Sequence, residues 1–399
     1  CYRHSTPVKV SFTTEPMAPQ RGLEPPDPRQ RAWLEVSPAA ISANARSIRR
    51  LLRPGCALMA VVKADGYGHG ALTVARAALE GGASQLGVAT LQEGIELRQA
   101  GLREPVLVLG NLTQAEELRS CLHWQLMPTL SGMREALLCQ NLASGSGRRF
   151  AVQLKLDTGM TRLGCDWQEG PRLAAAIRQL DQIQLEGIYS HLALADGDPN
   201  GEGERVTQQQ QQRFRDVLRQ LPKGDALCHL ANSAGTLRDR NLHHDLVRVG
   251  LALYGHSPSP HLDHAVALEP ALTVKARVSL IRPVNAGVGV SYGHRFITRR
   301  ASRLAVVAIG YADGVNRALS GRICALHNGQ RLPQVGAITM DQLILDATDH
   351  PQLEAGAVVT LLGRDGDQAI HPRDWSDQCD SIPWEVLCGF KHRLPRVVV

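Results

Sequence analysis

Lys63 ends the apolar part of the stretch AVVKADGYGHG, residues 60–70, and opens into a loop carrying Gly66, Tyr67, Gly68, His69 and Gly70. A lysine reached through apolar sequence has its charged form disfavoured, which leaves a nucleophilic amine. Such an amine can condense with a carbonyl carbon. Other apolar runs end in groups that could serve the same chemistry. One gives Lys155 and Asp157, followed by Arg162. The others give His191, then Asn232 and Ser233, then Arg248, Gly250, Leu251 and Tyr254. A single lysine at a strand end is more often a solvated rim residue, and a single buried histidine a hydrogen-bonded core residue. Five run ends that agree favour a site over five separate accidents.

The glycines, Tyr67 and Ser233 suit a phosphate, held by backbone N–H groups and hydroxyls. Two partners are therefore open to the lysine: a substrate carbonyl or pyridoxal phosphate. The phosphate cup tilts the choice toward the cofactor.

These groups can meet only if the intervening chain brings them together. From ALMAVVK onward, eight short runs rich in Val, Leu and Ile recur: ALMAVVK, QLGVAT, PVLVLG, QLMPTL, RFAVQLKLD, LEGIYSH, LCHLANS and LVRVGLALYG. A helical pattern, or room for one, separates each pair. Unalternating runs fit strands buried on both faces, and eight βα units predict an α/β fold, a (β/α)8 TIM-type barrel. Side chains at the C-terminal ends of such strands converge on one mouth. After residue 267 the pattern changes to β-like runs broken by Gly, Asn and Asp, which predicts a mostly β C-terminal domain. The expected division is a disordered Pro-rich tail over residues 1–30, a barrel over 31–267 and a β domain over 268–399. The glutamine run at 208–212 reads as the solvated start of a helix.

Composition narrows the class. The 399 residues carry a net charge of +6 with scattered basic residues and few aromatics, so nucleic-acid binding is not expected. No apolar run reaches the roughly 18 residues of a membrane span, and no secretory leader is apparent. Nine cysteines without a CxxC pair favour free thiols in a cytoplasmic setting. No metal site is expected.

The chain resembles the alanine racemase family. The matching motifs are AVVKADGYGHG, KLDTGMTRLG, EGIYSHLALAD, ANSAGTLR, VRVGLALYG, GVSYGHRF, IGYADG, VGAITMDQ and RLPR, in family order from about Arg31 to the C-terminus. The resemblance implies a pyridoxal 5'-phosphate enzyme that interconverts L- and D-alanine, supplying D-alanine for peptidoglycan. It implies a homodimer with shared active sites. Lys63 would anchor the cofactor and act as one base; Tyr292, from the neighbouring subunit, would be the other. Tyr67, Asn232, Ser233, Gly250 and Leu251 would hold the cofactor, with the phosphate at Tyr67, Ser233, Gly250 and Leu251. Arg248 would face the pyridine nitrogen, with His191 near the ring. Arg162 would lie near the phenolic oxygen and the substrate, oriented by a carbamylated Lys155. Met340 and Asp341 would line the substrate pocket.

Those residue types also fit the chemistry directly. Racemisation needs a proton removed from one face of Cα and another delivered to the opposite face. Lysine and tyrosine have similar ordinary pKa values of about 10. Three positions depart from the family pattern. Thr339 stands where Cys is common, Ala337 where Arg is frequent, and His392 where a phosphate-touching Tyr is usual. The smaller ring of His392, at a cofactor-binding position, would open the way in, so a serine or broad-specificity racemase is the alternative substrate class. A PLP-binding homeostasis protein on the same barrel would end before Tyr292 and VGAITMDQ. A PLP decarboxylase would lack those signatures, and a Schiff-base aldolase would need no phosphate cup.

Overall fold

Eight parallel strands follow the order expected: Ala57–Val61, Gln85–Val88, Val106–Asn111, Met127–Leu130, Phe150–Asp157, Ile183–Tyr189, Leu227–His229 and Leu246–Val249. The structure is a computed structural model that describes residues 27–221, 224 and 226–399. Most of the expected tail, residues 1–26, lies outside the described residues; residues 27–30 form an exposed turn. The eighth strand pairs with the first. Between the seventh and eighth the barrel is closed by two backbone bonds, Asp245 N to Cys228 O at 2.9 Å and Arg248 N to Ala231 O at 3.0 Å. Met59, Leu107, Met127, Tyr189 and Leu246 come from five different strands and pack together, so they fill the barrel interior.

Among the described residues, seven helices alternate with the strands, from Ala71–Glu80 to Ser233–Arg238. Local sequence sets their ends. Helix Leu91–Gln99 starts at Thr90, whose side chain accepts from Glu93 N while Glu93 reaches back to the Thr90 backbone, satisfying two donors that a helix start leaves open. Helix Pro38–Leu51 leads into the first barrel strand, with Ser37 as its cap and Pro38 in its first turn. No helix among the described residues is long and apolar enough to cross a membrane.

The C-terminal part is built on the long strand Leu272–Val284. It pairs antiparallel with Ala32–Val36, Ser302–Val307 and Val358–Asp365. This corrects the expectation that everything from residue 31 belongs to the barrel. Ala32 pairs with Ala276 and Val36 with Leu272, and the last strand, Arg396–Val398, lies parallel on the other side of Ala32–Val36. Both ends of the described chain therefore enter the same sheet. The glutamine run needs a correction as well. It lies in helix Glu202–Gln220, and Gln210 is buried rather than solvated.

Candidate active site

A cavity of ≈ 340 Å³ opens at the C-terminal ends of the barrel strands. Its wall includes Lys63, Tyr67, Lys155, Arg162, His191, Asn232, Ser233, Arg248, Gly250 and Leu251. Ten residues named from the sequence thus meet in one place.

Lys63 emerges from the first strand into a left-handed turn. Ala64, Asp65, Gly66, Tyr67 and Gly68 all have φ between 52° and 82°. Three of them carry side chains, for which this region is unfavourable. The turn is held from several sides. Glu93 Oε1 accepts from Ala64 N at 2.6 Å, Asp65 Oδ1 from Ala71 N at 2.9 Å, and Gly68 O from Arg396 Nε at 3.1 Å. A side chain at Gly68 would stand 2.6 Å from Leu387 O, so the helix Pro383–Cys388 of the C-terminal part packs directly on the turn. Burial first, then Arg162, lowers the Lys63 pKa.

Tyr67 is buried and stacks on Tyr254, ring centroids 4.6 Å apart. Tyr254 is fully buried and donates to Val61 O at 2.9 Å, so it supports the cup from behind. A Cβ at Gly250 would run into the Tyr67 hydroxyl. Ser233 Oγ accepts from Gly250 N at 3.0 Å and Ala252 N at 3.4 Å, which fixes this backbone. Asn232 caps the following helix by accepting from Gly235 N.

Arg248, 3% exposed, is the hub of the floor. Its Nη2 donates to Ser190 O at 2.6 Å, Leu230 O at 3.1 Å and His191 Nδ1 at 3.1 Å. Its Nη1 donates to His229 Nδ1 at 2.8 Å. A guanidinium can only donate, so both imidazoles keep their proton on Nε2. His229 Nε2 then donates to Gln153 Oε1 at 2.8 Å. Burial, followed by Arg248, holds both histidines well below their ordinary pKa, and they stay neutral. Burial lowers Arg248 itself to about 10, far above neutrality. Sequence reading did not single out His229. Its signal was a histidine at the end of LCH, three residues before Asn232.

Lys155 is 6% exposed and makes no hydrogen bond or ion pair among the described residues. Its amine lies over the Tyr189 ring, 5.4 Å from the centroid. Burial, then Arg248, Arg162 and Lys63, push it down to about 8. Tyr189 carries Arg248 at 5.0 Å and donates to Thr129, whose hydroxyl is given to Val108 O. The Arg162 loop is shaped by Asp157, whose Oδ1 accepts from Gly159, Met160 and Thr161 N. The His191 loop is held by Gln210, whose Nε2 donates to His191 O at 2.9 Å and whose Oε1 accepts from Ala193 N at 2.8 Å.

Four residues expected at the site do not line this cavity. Tyr292 is 72% exposed in the C-terminal part, Met340 is 52% exposed, and Asp341 and His392 are exposed. Their loops are nonetheless braced. Tyr311 N and Ala312 N donate to Thr339 O and Met340 O. Arg393 binds Asp341 at 2.7 Å, while Asp313, fully buried, takes both Nη atoms of Arg31. Trp384, unnamed in the sequence reading, reaches the cavity from helix Pro383–Cys388.

The wall holds four basic side chains, Lys63, Lys155, Arg162 and Arg248, against one acid, Asp196. The amines of Lys63 and Lys155, the Arg162 guanidinium and the Tyr67 hydroxyl have no hydrogen-bond partner among the described residues. Such a surplus of free donors suits an anionic ligand with a phosphate. The neutral His191 and the Nε of Arg248, which donates to no group among the described residues, suit a ring nitrogen.

A (β/α)8 barrel with a perturbed lysine at its mouth and a β domain behind it defines an enzyme of amine–carbonyl chemistry on an anionic ligand. The family profile "Alanine racemase, N-terminal domain" matches residues 36–258, and "Alanine racemase, C-terminal domain" matches 271–398. The chain belongs to the alanine racemase family, and it is an isomerase. It is 60% identical to an alanine racemase of Prochlorococcus marinus over 94% of this chain and 97% of that one. The structure superposes on the crystal structure of alanine racemase from Streptomyces lavendulae with a TM-score of 0.85, at 37% identity over 93% of this chain and 97% of that one. The alanine racemase of Bartonella henselae, solved with covalently bound pyridoxal phosphate, gives a TM-score of 0.82 at 32% identity, covering 92% and 99%.

Proposed function

We propose that the protein interconverts L- and D-alanine with pyridoxal 5'-phosphate held by Lys63, in a cytoplasmic homodimer that supplies D-alanine for peptidoglycan. The observation that carries this reading is the set of donors without a hydrogen-bond partner among the described residues, Lys63, Tyr67, Lys155 and Arg162, gathered with Arg248 in one cavity. The residues fit the cofactor. Tyr67, Ser233 and the backbone of Gly250 and Leu251 would hold the phosphate, with Asn232 also at the cofactor, and the lack of a side chain at Gly250 leaves Tyr67 its place. Arg248 would donate to the ring nitrogen, because a guanidinium keeps its protons and offers no proton to give away. His191, neutral, would flank the ring. When bound, the cofactor supplies the electron sink that makes the substrate Cα–H acidic.

Lys63 is then the base on one face of Cα. Its lowered pKa raises the share of free amine at neutral pH. Tyr292 of the partner subunit is the base on the other face, with Met340 and Asp341 beside it as pocket wall. The strong exposure of Tyr292 and Met340 on a single chain fits surface that a second copy covers. Arg162 orients the substrate carboxylate. Lys155, pushed to about 8, has enough neutral amine to add carbon dioxide, forming an N–C bond and releasing one proton. The resulting carbamate would neutralise the crowded cations and accept from Arg162.

The test is chiral analysis of L-alanine incubated with cofactor-loaded protein, beside Lys63→Ala. Equal amounts of both enantiomers with the parent, and none formed by the variant, support the reading. No D-alanine from the loaded parent refutes it.

A further inference from the structure

The exposed Tyr292 stands on an unusual backbone. Ser291, immediately before Tyr292, has φ 60° and ψ −169°, a region that essentially only glycine occupies. Gly293 and His294 follow at φ 71° and 43°. A serine at 291 needs a reason, since glycine would sit there without strain. Its hydroxyl supplies one: Ser291 Oγ donates to Ala337 O at 2.8 Å. The receiving segment is itself rigid. Gln334, buried, donates to Val335 O at 2.9 Å and Gly336 O at 3.0 Å and accepts from Gly321 N at 2.6 Å. Gly336 allows the close approach, because a Cβ there would stand 2.8 Å from Val290 O and 3.1 Å from Ser291 Cβ. Ile338 N is fixed on Ser320 Oγ.

We infer that Ser291 is a positioning residue for Tyr292, its hydroxyl bond to Ala337 O holding a strained backbone that aims the tyrosine at the substrate. This rests on the reading of Tyr292 as the second base. The torsions at 291 set the direction of the tyrosine's Cα–Cβ bond, and the long ring multiplies any error at the hydroxyl. The same platform, residues 334–338, leads directly into Met340 and Asp341. The hydroxyl bond therefore ties the base and the pocket wall into one piece.

The test uses the cofactor-loaded protein as Ser291→Gly, Ser291→Ala and Tyr292→Phe, compared at one oligomeric state. Three quantities are read: the thermal midpoint, racemisation rates, and exchange of the Cα proton of each alanine enantiomer with deuterated solvent. Ser291→Gly should keep or raise the midpoint, since glycine relieves the strain. Its kcat should fall on the order of 10- to 100-fold, as expected for a misplaced base, with KM changed far less. Exchange from the enantiomer served by Lys63 should persist, while exchange from the other falls as in Tyr292→Phe. Ser291→Ala, which keeps the strain without the bond, should show the same one-sided loss and gives the answer if the glycine variant folds poorly. Unchanged rates in both serine variants, or equal loss at both faces, overturn the inference. If Tyr292→Phe also loses both exchanges equally or neither, the two-base reading fails and this inference falls with it. One-sided loss in Tyr292→Phe alone removes only the role of Ser291.

Discussion

Arg248 Nη1 donates a hydrogen bond to His229 Nδ1 across 2.8 Å, which leaves the neutral imidazole's proton on Nε2 and makes it a donor to Gln153 on its other side. The order of donation has one direction: guanidinium to imidazole to amide. His229 also stacks on Tyr189 at 4.7 Å with an interplanar angle of 5°. The floor of the cavity is a single hydrogen-bonded and stacked assembly, in which removing one member leaves a buried donor unpaired. His229→Leu should lower the unfolding free energy by about 1–3 kcal/mol. If about 1.4 kcal/mol of the lost orientation reaches the transition state, turnover falls about tenfold. Thermal denaturation and kcat check the two effects; a variant equal to the parent in both would refute the coupling.

Gly250→Ala addresses the phosphate cup. The added methyl has no space beside the Tyr67 hydroxyl, and Tyr67 cannot retreat because Tyr254 is stacked behind it. Retention of pyridoxal phosphate should drop by roughly tenfold or more, the equivalent of one good hydrogen bond to a charged group. Equilibrium dialysis followed by cofactor absorbance measures it. Full retention would show that Tyr67 does not reach the phosphate.

Much of this architecture was legible in the sequence because barrel strands are local statements. Each is a short apolar run with a polar group at its end, and the runs from ALMAVVK to LVRVGLALYG fall on the eight strands observed. What was not legible depends on partners far away in the chain. The strand Ala32–Val36 belongs to the C-terminal sheet because Ala276 and Leu272 pair with it, more than two hundred residues on. The three glycines of GYGHG signalled a special turn, but not that Ala64, Asp65 and Tyr67 would share its handedness. Glu93, which holds Ala64 N, has the outward form of a helix-capping residue. The motif before RLPR points to His392 at the cofactor, whereas on a single chain it is exposed while its neighbour Arg393 binds Asp341.

The glutamine run separates a buried residue from exposed look-alikes. Gln210 ties His191 O and Ala193 N to helix Glu202–Gln220, whereas Gln208 and Gln212 are exposed and bond only within their own helix. Gln210→Ala should destabilise by about 1–3 kcal/mol through unpaired buried groups. Gln208→Ala and Gln212→Ala should stay within about 0.5 kcal/mol of the parent. Urea denaturation of the three variants checks the contrast, and equal effects would contradict it.

Six histidines among the described residues, His243 included, have their pKa lowered chiefly by burial. His69 and His244 are pushed down to about 4, His256 to about 3, and His191 and His229 lie well below the ordinary value. In each case the folded pKa is below the unfolded one. Above about pH 6.5 neither state binds the proton, and these groups leave stability unchanged. As pH falls below that value the unfolded chain takes up protons that the folded chain refuses, so stability declines, down to the folded pKa of each group. The thermal midpoint should therefore drop steadily from pH 6.5 to pH 4. Midpoints that hold level or rise over that interval would show that these side chains are solvated.

The last prediction concerns where Tyr292, the proposed second base, comes from. Lys63 lines the barrel cavity, while Tyr292 lies outside it and is 72% exposed. A base must come within about 3 Å of the proton it moves, so something has to bring the two together. A second copy can do this with one self-complementary contact, each chain placing its β domain over the other's barrel, and such a contact closes as a two-fold dimer with two equivalent sites. The alternative is a β domain that folds over its own barrel in a monomer. Mixing variants separates the two. Lys63→Ala and Tyr292→Phe should each be nearly inactive alone. After subunit exchange, each heterodimer should hold one site with both bases and one with neither, giving roughly half the parental activity per heterodimer. In a monomer, or a dimer whose sites are complete within one chain, every chain would still lack a base and mixing would restore nothing. Exchange is followed independently by mass spectrometry of tagged chains. Verified heterodimers without regained activity would place Tyr292 outside the partner's site.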